Sequence, residues 1–577
     1  MKKKLLPALI VTGLIILVVI IMGITALINK YTPTKKTEDL KEYFNISSDD
    51  EAALIVDNEL SDYKAKIIDK KIYVDYKFVH DSLNSRFYWD ANENVLLYTT
   101  ASDIISAAAD SNSYSVTKQT NDFGYPIVKA TSDSALIALD YVKQYSNITF
   151  KSYDDPARIV ITSKWDEIDS ATVSKSTQVR VRGGIKSPIL KEVKKDDKIT
   201  ILDSGDKWDK VATEDGIIGY IKRKALSESK KTKLTNPDYE EETFTHIKKD
   251  KDICLAWNQV TSQSANSKVP QVISSTKGIN VMSPTWFYLN DNNGNLADIA
   301  SKDYVNYCHS QGIEVWGLFS NLENTDVDAA YVLTHTSTRT TLINQIMSAA
   351  FNYELDGVNI DFENITEAAY GDSYIEFIRE LAIKCHNNGI SLSVDVTVPA
   401  SFNKFFNRSD MANFADYIVI MGYDEHYKGS DAGSVSSIPW VTEGVESTLK
   451  EVPADQIILG MPFYTRIWEL TPKEDDDAVT DTEDQSKYTV ASQVYSMDAA
   501  AAQLATNNAT AALDEESGQN YAEWSVSNKL YKVWLEDTTS LEKRLKLVDD
   551  NKLAGAAFWK LGFENSSVWD TVIKYLN

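Results

Sequence analysis

The chain has 577 residues, with 59 Lys and Arg against 84 Asp and Glu and a formal net charge of −25 at pH 7. Its 43% hydrophobic residues, with 18 Phe, 30 Tyr and 12 Trp, offer enough apolar surface to offset the entropy of ordering several cores, which excludes a wholly disordered chain. At about 100–200 residues per domain the length implies three or more folded units, and the acidic balance argues against a nucleic-acid partner, whose phosphates need clustered Lys and Arg.

The N-terminus departs from this average. Lys2, Lys3 and Lys4 precede an uncharged stretch from Leu5 to Ile28, and Lys30 closes it. That stretch is somewhat longer than the roughly 20 residues that cross a bilayer as a helix. A cleaved secretory signal has a shorter apolar region, about 7–15 residues, and a small-x-small cleavage site; no clear one follows here. Residues 1–30 therefore read as a cytoplasmic lysine cluster and an uncleaved transmembrane anchor. The lysines favour an inside N-terminus, so the expected topology is single-pass in the cell membrane with the bulk of the chain extracytoplasmic.

Residues 31–50, polar and charged, read as a stalk. Residues 51–165 carry a weak internal repeat: Phe78-Val79 matches Tyr141-Val142, Phe87 matches Phe150, and Leu96-Leu97-Tyr98-Thr99 matches Ile159-Val160-Ile161-Thr162. Each copy reads as a helix-like segment, a strand, an Asp/Asn turn and a second strand. The stretch from Lys71-Ile72-Tyr73-Val74 to Trp89-Asp90-Ala91-Asn92 resembles the small α+β module named for the N-terminal domain of copper amine oxidases, which does not itself bind copper; the resemblance implies a spacer.

Residues 171–228 alternate short apolar runs with Gly/Asp turns, the pattern of a small antiparallel all-β barrel. Gly205-Asp206-Lys207-Trp208-Asp209-Lys210-Val211 and Gly216-Ile217-Ile218-Gly219-Tyr220-Ile221 resemble pieces of bacterial Src-homology-3-like domains, which implies a module that holds cell-wall peptide or positions an enzyme on its wall. Trp208 is read as packing rather than as a ligand platform. Residues 229–242 form a polar linker. Cys254, Cys308 and Cys385 are odd in number and lack ligand-like spacing, so they read as buried thiols, with a disulfide between two of them left open; no metal or cofactor is expected.

From 243 to 577 strand-like runs begin near Ile253, Ile279, Ile313, Leu355, Ile390, Tyr417, Ile457 and Gly555, with helix-like segments between them such as Tyr374–Asn387 and Leu541–Asn551. Several runs are continuously apolar, as parallel strands covered on both faces are. Eight such units predict an α/β fold, a closed (β/α)8 TIM barrel with its active groups at the C-terminal ends of the strands. The connection from about 469 to 553 is unusually long and is expected to hold a small α+β insertion behind an acidic loop at 473–484. Tyr521, Trp524 and Trp534 are expected to pack within it.

The fourth strand reads Leu355-Asp356-Gly357-Val358-Asn359-Ile360-Asp361-Phe362-Glu363. Alternate side chains of a strand share a face, so Asn359, Asp361 and Glu363 point one way and Val358, Ile360 and Phe362 the other. Polar groups aimed into a barrel are costly unless hydrogen-bonded or used. The strand alone leaves open an edge position with one wet face.

This run resembles the D-x-x-D-x-D-x-E signature of glycoside hydrolase family 18, and three further pieces match in order. Met421-Gly422-Tyr423-Asp424 is similar to the family's M-x-Y-D. Gly460-Met461-Pro462-Phe463-Tyr464-Thr465-Arg466-Ile467-Trp468 is similar to its G-x-P-x-Y-x-R-x-W, and Phe558-Trp559 falls where the family places a tryptophan beneath the sugar. The chain looks most like the spore-cortex and cell-wall N-acetylglucosaminidase branch, through Ser283-Pro284-Thr285-Trp286-Phe287-Tyr288 and Val533-Trp534-Leu535-Glu536-Asp537. It departs from the family in two places. Asn359 stands at the second acidic position, and Trp316-Gly317-Leu318-Phe319-Ser320-Asn321 replaces the S-x-G-G of typical chitinases.

The resemblance implies a retaining, substrate-assisted β-N-acetylglucosaminidase or chitinase acting on peptidoglycan or chitin-like glycan. It implies Glu363 as the acid, Asp361 orienting the 2-acetamido group, Tyr423 bonding its carbonyl and Asn359 holding Asp361. Asp424 would hydrogen-bond the sugar or its acetamido, Tyr464 and Arg466 would line the cleft, Met421 would bind substrate, and Trp559 would stack under the sugar. Partial burial and the Asp361 charge are expected to keep Glu363 protonated. The competing classes are a lectin on the same barrel and a wall-attachment protein, separated from an enzyme by a turnover assay.

Overall fold

The computed structural model describes residues 5–363, 365, 370–473 and 484–576. The Lys2–Lys4 cluster and most of the acidic loop, residues 474–483, lie outside the described residues. Two compact units are present. One comprises Met1–Trp89, Ala107–Tyr114 and Asp122–Glu241; the other comprises Asp90–Ser106, Ser115–Asn121 and Glu242–Asn577.

The first unit opens with an apolar helix, Leu5–Tyr31. Its segment Leu9–Tyr31 is long and apolar enough to cross a membrane by length and composition, and is exposed throughout. Behind it, the polar stretch read as a stalk is ordered: Asp39 caps a short helix, Leu40–Tyr43, and Phe44 is fully buried beside Ala171, Val179 and Ile221. Seven strands form a mixed sheet in which Glu51–Val56 runs parallel to Arg158–Thr162 and antiparallel to Glu59–Ile68. The repeat has a structural counterpart, since Tyr76–Ser82 and Leu139–Gln144 are both short helices that bury Phe78-Val79 and Tyr141-Val142. A second, antiparallel seven-stranded sheet spans Glu167–Thr172 to Lys230–Lys233. Its last strand lies in the stretch read as a linker and pairs with the first.

The second unit contains the closed barrel. Its strands are β1 (Ile253–Asn258), β2 (Val281–Leu289), β3 (Glu314–Ser320), β4 (Gly357–Asp361), β5 (Ser391–Thr397), β6 (Tyr417–Met421), β7 (Ile457–Pro462) and β8 (Gly555–Trp559). Each pairs in parallel with the next, and β8 with β1 closes the ring. Gly555 makes the closure sterically workable: its φ is +154°, and a Cβ there would meet the Ile253 carbonyl oxygen at 2.0 Å. The barrel interior is filled by Ile253, Leu255, Trp257, Val281, Trp316, Leu318, Tyr417, Val419, Ile458 and Ala557. The alternate residues Val358, Ile360, Phe362, Val394, Ile418 and Leu459 face outward into the core shared with the helices. β4 is a central strand, which removes the edge-strand alternative.

Between β7 and β8 lies a five-stranded antiparallel sheet in the order Tyr488–Ser496, Tyr464–Pro472, Lys529–Leu535, Gln519–Val526 and Ala512–Asp514. The sheet starts at Tyr464, inside the motif that follows β7. Met497–Thr506 is an alanine-rich helix. Trp524 stacks on Tyr531 at 5.4 Å, and Tyr521 tilts against Trp534 at 4.8 Å, so these aromatics pack on one another. All three cysteines are buried free thiols. Burial alone pushes Cys254 up to about 12, so it stays a protonated apolar side chain.

Candidate active site

The C-terminal ends of the parallel strands gather the polar residues at one mouth. β4 delivers Asp361 at its last position, with Glu363 two residues on; β6 ends at Met421, before Tyr423 and Asp424; β8 ends at Trp559. Parallel register sets Leu318 beside Asn359 and Ser320 beside Asp361 on one side of β4, and Ser393 beside Asn359 on the other.

Asn359 is fully buried and all its amide valences are used. Trp257 Nε1 and Ser283 Oγ each donate to its Oδ1 at 3.0 Å. Its Nδ2 donates to Ser393 Oγ at 3.1 Å and to Asp395 Oδ1 at 2.7 Å. The expectation that Asn359 holds Asp361 is therefore corrected: its hydrogen bonds run to β1, β2 and β5, and the carboxylate it holds is Asp395. An amide has two donors and an acceptor side, so it can bridge a tryptophan N–H and a carboxylate at once, which a second carboxylate could not do.

Asp361 is buried, and its Oδ1 accepts no hydrogen bond from the described residues. Burial first, then the neighbouring carboxylates Asp395, Glu363 and Glu323, hold its carboxyl well above the usual carboxylate range. Glu363 is open to solvent but sits in a concave mouth with protein around it, and its backbone N–H donates to Asn321 Oδ1 at 3.0 Å. Loss of hydration there raises its carboxyl, helped by the charges of Asp424 and Glu323. The direction agrees with expectation: Glu363 and Asp361 repel one another, and Asp424 and Glu323 add to the charge around Glu363. Glu323 is fixed by Ser320 Oγ, which donates to its Oε2 at 2.7 Å.

Tyr423 lies edge-on to Trp257 at 6.5 Å and to Tyr464 at 6.3 Å. Burial and the charges of Asp361, Asp395 and Glu363 keep its phenol protonated, so it remains a donor. Gly460 leaves the ring its place: a Cβ there would sit 3.3 Å from Tyr423 Cε1 and 2.9 Å from the Ile420 carbonyl oxygen. The Tyr464 hydroxyl donates to Asp424, whose backbone takes a φ of +62°. Arg466 Nη2 lies 3.8 Å from Asp424 Oδ1, and its Nη1 donates to Ser492 Oγ at 3.1 Å. Trp559 is partly buried and packs edge-on against Trp257 at 5.9 Å. Met421 lines a cavity of about 150 Å³ together with Glu363, Asp395, Asn403 and Phe406.

Residues 317–564 match the family described as "Glycosyl hydrolases family 18". This span takes in Asn359, Asp361, Glu363, Tyr423, Asp424, Tyr464, Arg466 and Trp559. The chain carries a family 18 glycosyl hydrolase domain. The first two barrel strands lie before the matched residues and belong to the same closed barrel. The chain is 24% identical over 302 residues to an uncharacterized glycosylase of Bacillus subtilis (strain 168), covering 49% of this chain and 81% of that one. It is 24% identical over 287 residues to the cortical fragment-lytic enzyme of the same organism, covering 48% of this chain and 63% of the relative. The crystal structure of the Bacillus cereus spore cortex-lytic enzyme shares the fold, with a TM-score of 0.50 and 18% identity over 60% of this chain and 79% of that one.

Sequence reading missed Asp395, Glu323 and Trp257, and named Ser283 only within a branch motif, with no place in the site. For Asp395 a signal existed: Ser391, Ser393 and Asp395 alternate with Leu392, Val394 and Val396, the same period of two that marks β4.

Proposed function

We propose that the protein is a membrane-anchored, extracytoplasmic glycosidase that hydrolyses β-linked N-acetylglucosamine-containing glycan, peptidoglycan or chitin-like, with retention and with the substrate's own acetamido group as nucleophile. The observation that carries this reading is the carboxylate arrangement at the end of β4: Asp361 buried with an unfilled acceptor oxygen, and Glu363 two residues on, solvent-open with its carboxyl raised. Glycosidic cleavage needs an acid for the leaving oxygen and stabilisation of an oxocarbenium-like transition state. Glu363 supplies the proton. Asp361 accepts the acetamido N–H and balances the oxazolinium charge, and the Tyr423 hydroxyl donates to the acetamido carbonyl. Trp559 gives the sugar a flat apolar floor, and Asp424, held by Tyr464 and Arg466, bonds the sugar rim.

The name of the cortical fragment-lytic relative supports peptidoglycan as the glycan class. The helix Leu5–Tyr31 supports an anchor, and residues 171–228 are proposed to bind cell-wall peptide as Src-homology-3-like modules do. Protease added to intact cells is then expected to remove the bulk of the chain, and full protection would contradict this topology. Incubating the full chain with purified peptidoglycan and with chitin oligomers, followed by mass spectrometry of the products, tests the substrate class. Oligomers of N-acetylglucosamine are expected to be cleaved and the corresponding glucose oligomers left intact, because the latter lack the internal nucleophile. Comparable turnover of both would exclude acetamido participation.

The pH dependence follows from the same carboxyls. Its raised carboxyl keeps Glu363 protonated toward neutrality, so activity is expected to fall as pH rises through the Glu363 pKa.

A further inference from the structure

Asn359 leaves β4 without the inner carboxylate that its signature would place there, yet an inner carboxylate is present on the neighbouring strand. Register pairs Asn359 with Ser393 and Ile360 with Val394, the residues just before Asp361 and Asp395. Side chains paired across parallel strands about 4.8 Å apart share a face. Asp395 is 4% exposed, and one of its oxygens is taken by Asn359 Nδ2 at 2.7 Å.

We infer that Asp395 is a positioning residue for the reaction: clamped by Asn359, it holds one proton jointly with Asp361 and so fixes the ionic state and direction of Asp361 toward the substrate's acetamido group. This rests on the functional reading above. The groups facing the pair are Asn359 and Glu363 from β4 and its end, Glu323 beyond β3, Ser393 on β5, Tyr374 from the helix Gly371–His386, and Tyr423 beyond β6. Among the described residues no Lys, Arg or His charge compensates either carboxyl. Two adjacent buried carboxylates without a cation cannot both ionise, and such a pair retains a proton and titrates in two linked steps. Both Asp361 and Asp395 are accordingly held well above the usual carboxylate range, burial being the largest cause for each. Asn359 is what makes the arrangement asymmetric. Its N–H donates to one oxygen of Asp395 and favours that carboxyl's ionised form, so the other Asp395 oxygen accepts the shared proton from Asp361, whose remaining oxygen is left to accept the substrate's acetamido N–H.

The test is a carboxyl-carbon NMR titration of the full chain in detergent with labelled aspartate, assigned with Asp361→Asn and Asp395→Asn. The Asp361 and Asp395 signals are expected to move together, with the upper step well above the ordinary carboxylate range. Independent titration of both below about pH 5 would overturn the proposal. In turnover, Asp395→Asn is expected to lower kcat about tenfold or more with KM nearly unchanged, the mark of an interaction used in the transition state. The exchange variant Asn359→Asp/Asp395→Asn, which returns a carboxylate to the pair from the other strand, is expected to recover most of that loss. Unchanged kcat in Asp395→Asn, or a folded exchange variant as slow as Asp395→Asn, would overturn it. If Asp395→Asn does not fold, the wild-type titration decides. That titration needs no substrate, so failure of the glycosidase reading would appear separately, as an absence of wild-type turnover.

Discussion

Glu363→Gln is expected to lower kcat by about 10²–10⁴-fold, the usual contribution of a positioned general acid. The substitution keeps the side chain's shape and removes its proton. Glu363 follows β4 directly and is tied to β3 through the bond from its backbone N–H to Asn321, which the variant retains. Its side chain is open to solvent, and its carboxylate faces the like charges of Asp424 and Glu323, so the neutral amide creates no buried unpaired charge. Binding is carried by Trp559, Tyr423 and Asp361 in the proposed arrangement, and KM is expected to stay within a few-fold. Unfolding curves of the two proteins should superimpose. A folded Glu363→Gln protein with near-wild-type kcat would remove Glu363 from the acid role.

Glu536→Ala is expected to destabilise the second unit by about 3–5 kcal/mol, the cost of breaking a buried ion pair from one side. Glu536 and Arg544 are both fully buried. The Glu536 carboxylate accepts from Arg544 Nη1 at 2.7 Å and Nη2 at 2.9 Å, from Ser540 Oγ at 2.7 Å and from Gln519 Nε2 at 2.8 Å. Its backbone N–H donates to Thr465 Oγ1 at 2.9 Å. Arg544 in turn donates through Nε to the Ser436 carbonyl at 3.1 Å, and Ser436 Oγ donates to the carbonyl of Gly422, next to Tyr423. The network thus joins the inserted sheet, the helix Thr538–Asn551 and the segment after β6. Truncation leaves Arg544 buried and uncompensated, so loss of stability should come with loss of activity through Tyr423 and Asp424. A paired replacement, Glu536→Gln with Arg544→Met, removes both charges and is expected to recover part of the stability. Urea unfolding of the single and paired variants checks this; a loss below about 1 kcal/mol in Glu536→Ala would show the pair to be dispensable.

The barrel was legible because each of its strands carries a local signature. The alternation of Val358, Ile360 and Phe362 with Asn359 and Asp361 assigns faces without any tertiary knowledge, and the structure places them on those faces. What the sequence could not show was which carboxylate Asn359 holds. That depends on the register of β4 against β5, which arises from barrel closure rather than from any local pattern. Glu323 was hidden for a related reason: its part in raising Glu363 comes from a loop turned back by Ser320. Residues 31–50 read as a stalk because Leu40, Tyr43, Phe44 and Ile46 are scattered among polar and charged residues, yet Phe44 fills a core with the other three packed against it. The motif residues Tyr464 and Arg466 belong to the strand Tyr464–Pro472 of the inserted sheet and also reach Asp424, with Trp468 buried in the same strand.

The family 18 domain is proposed to cleave its glycan with retention through the substrate's acetamido group, with Glu363 as acid. The most direct measurement is proton NMR of the anomeric signals during the first minutes of hydrolysis of a β-linked N-acetylglucosamine oligomer by the full chain. The β anomer should appear first and mutarotate later to the equilibrium mixture, with no product formed by Glu363→Gln in the same time. Initial release of the α anomer would exclude retention and with it the acetamido nucleophile.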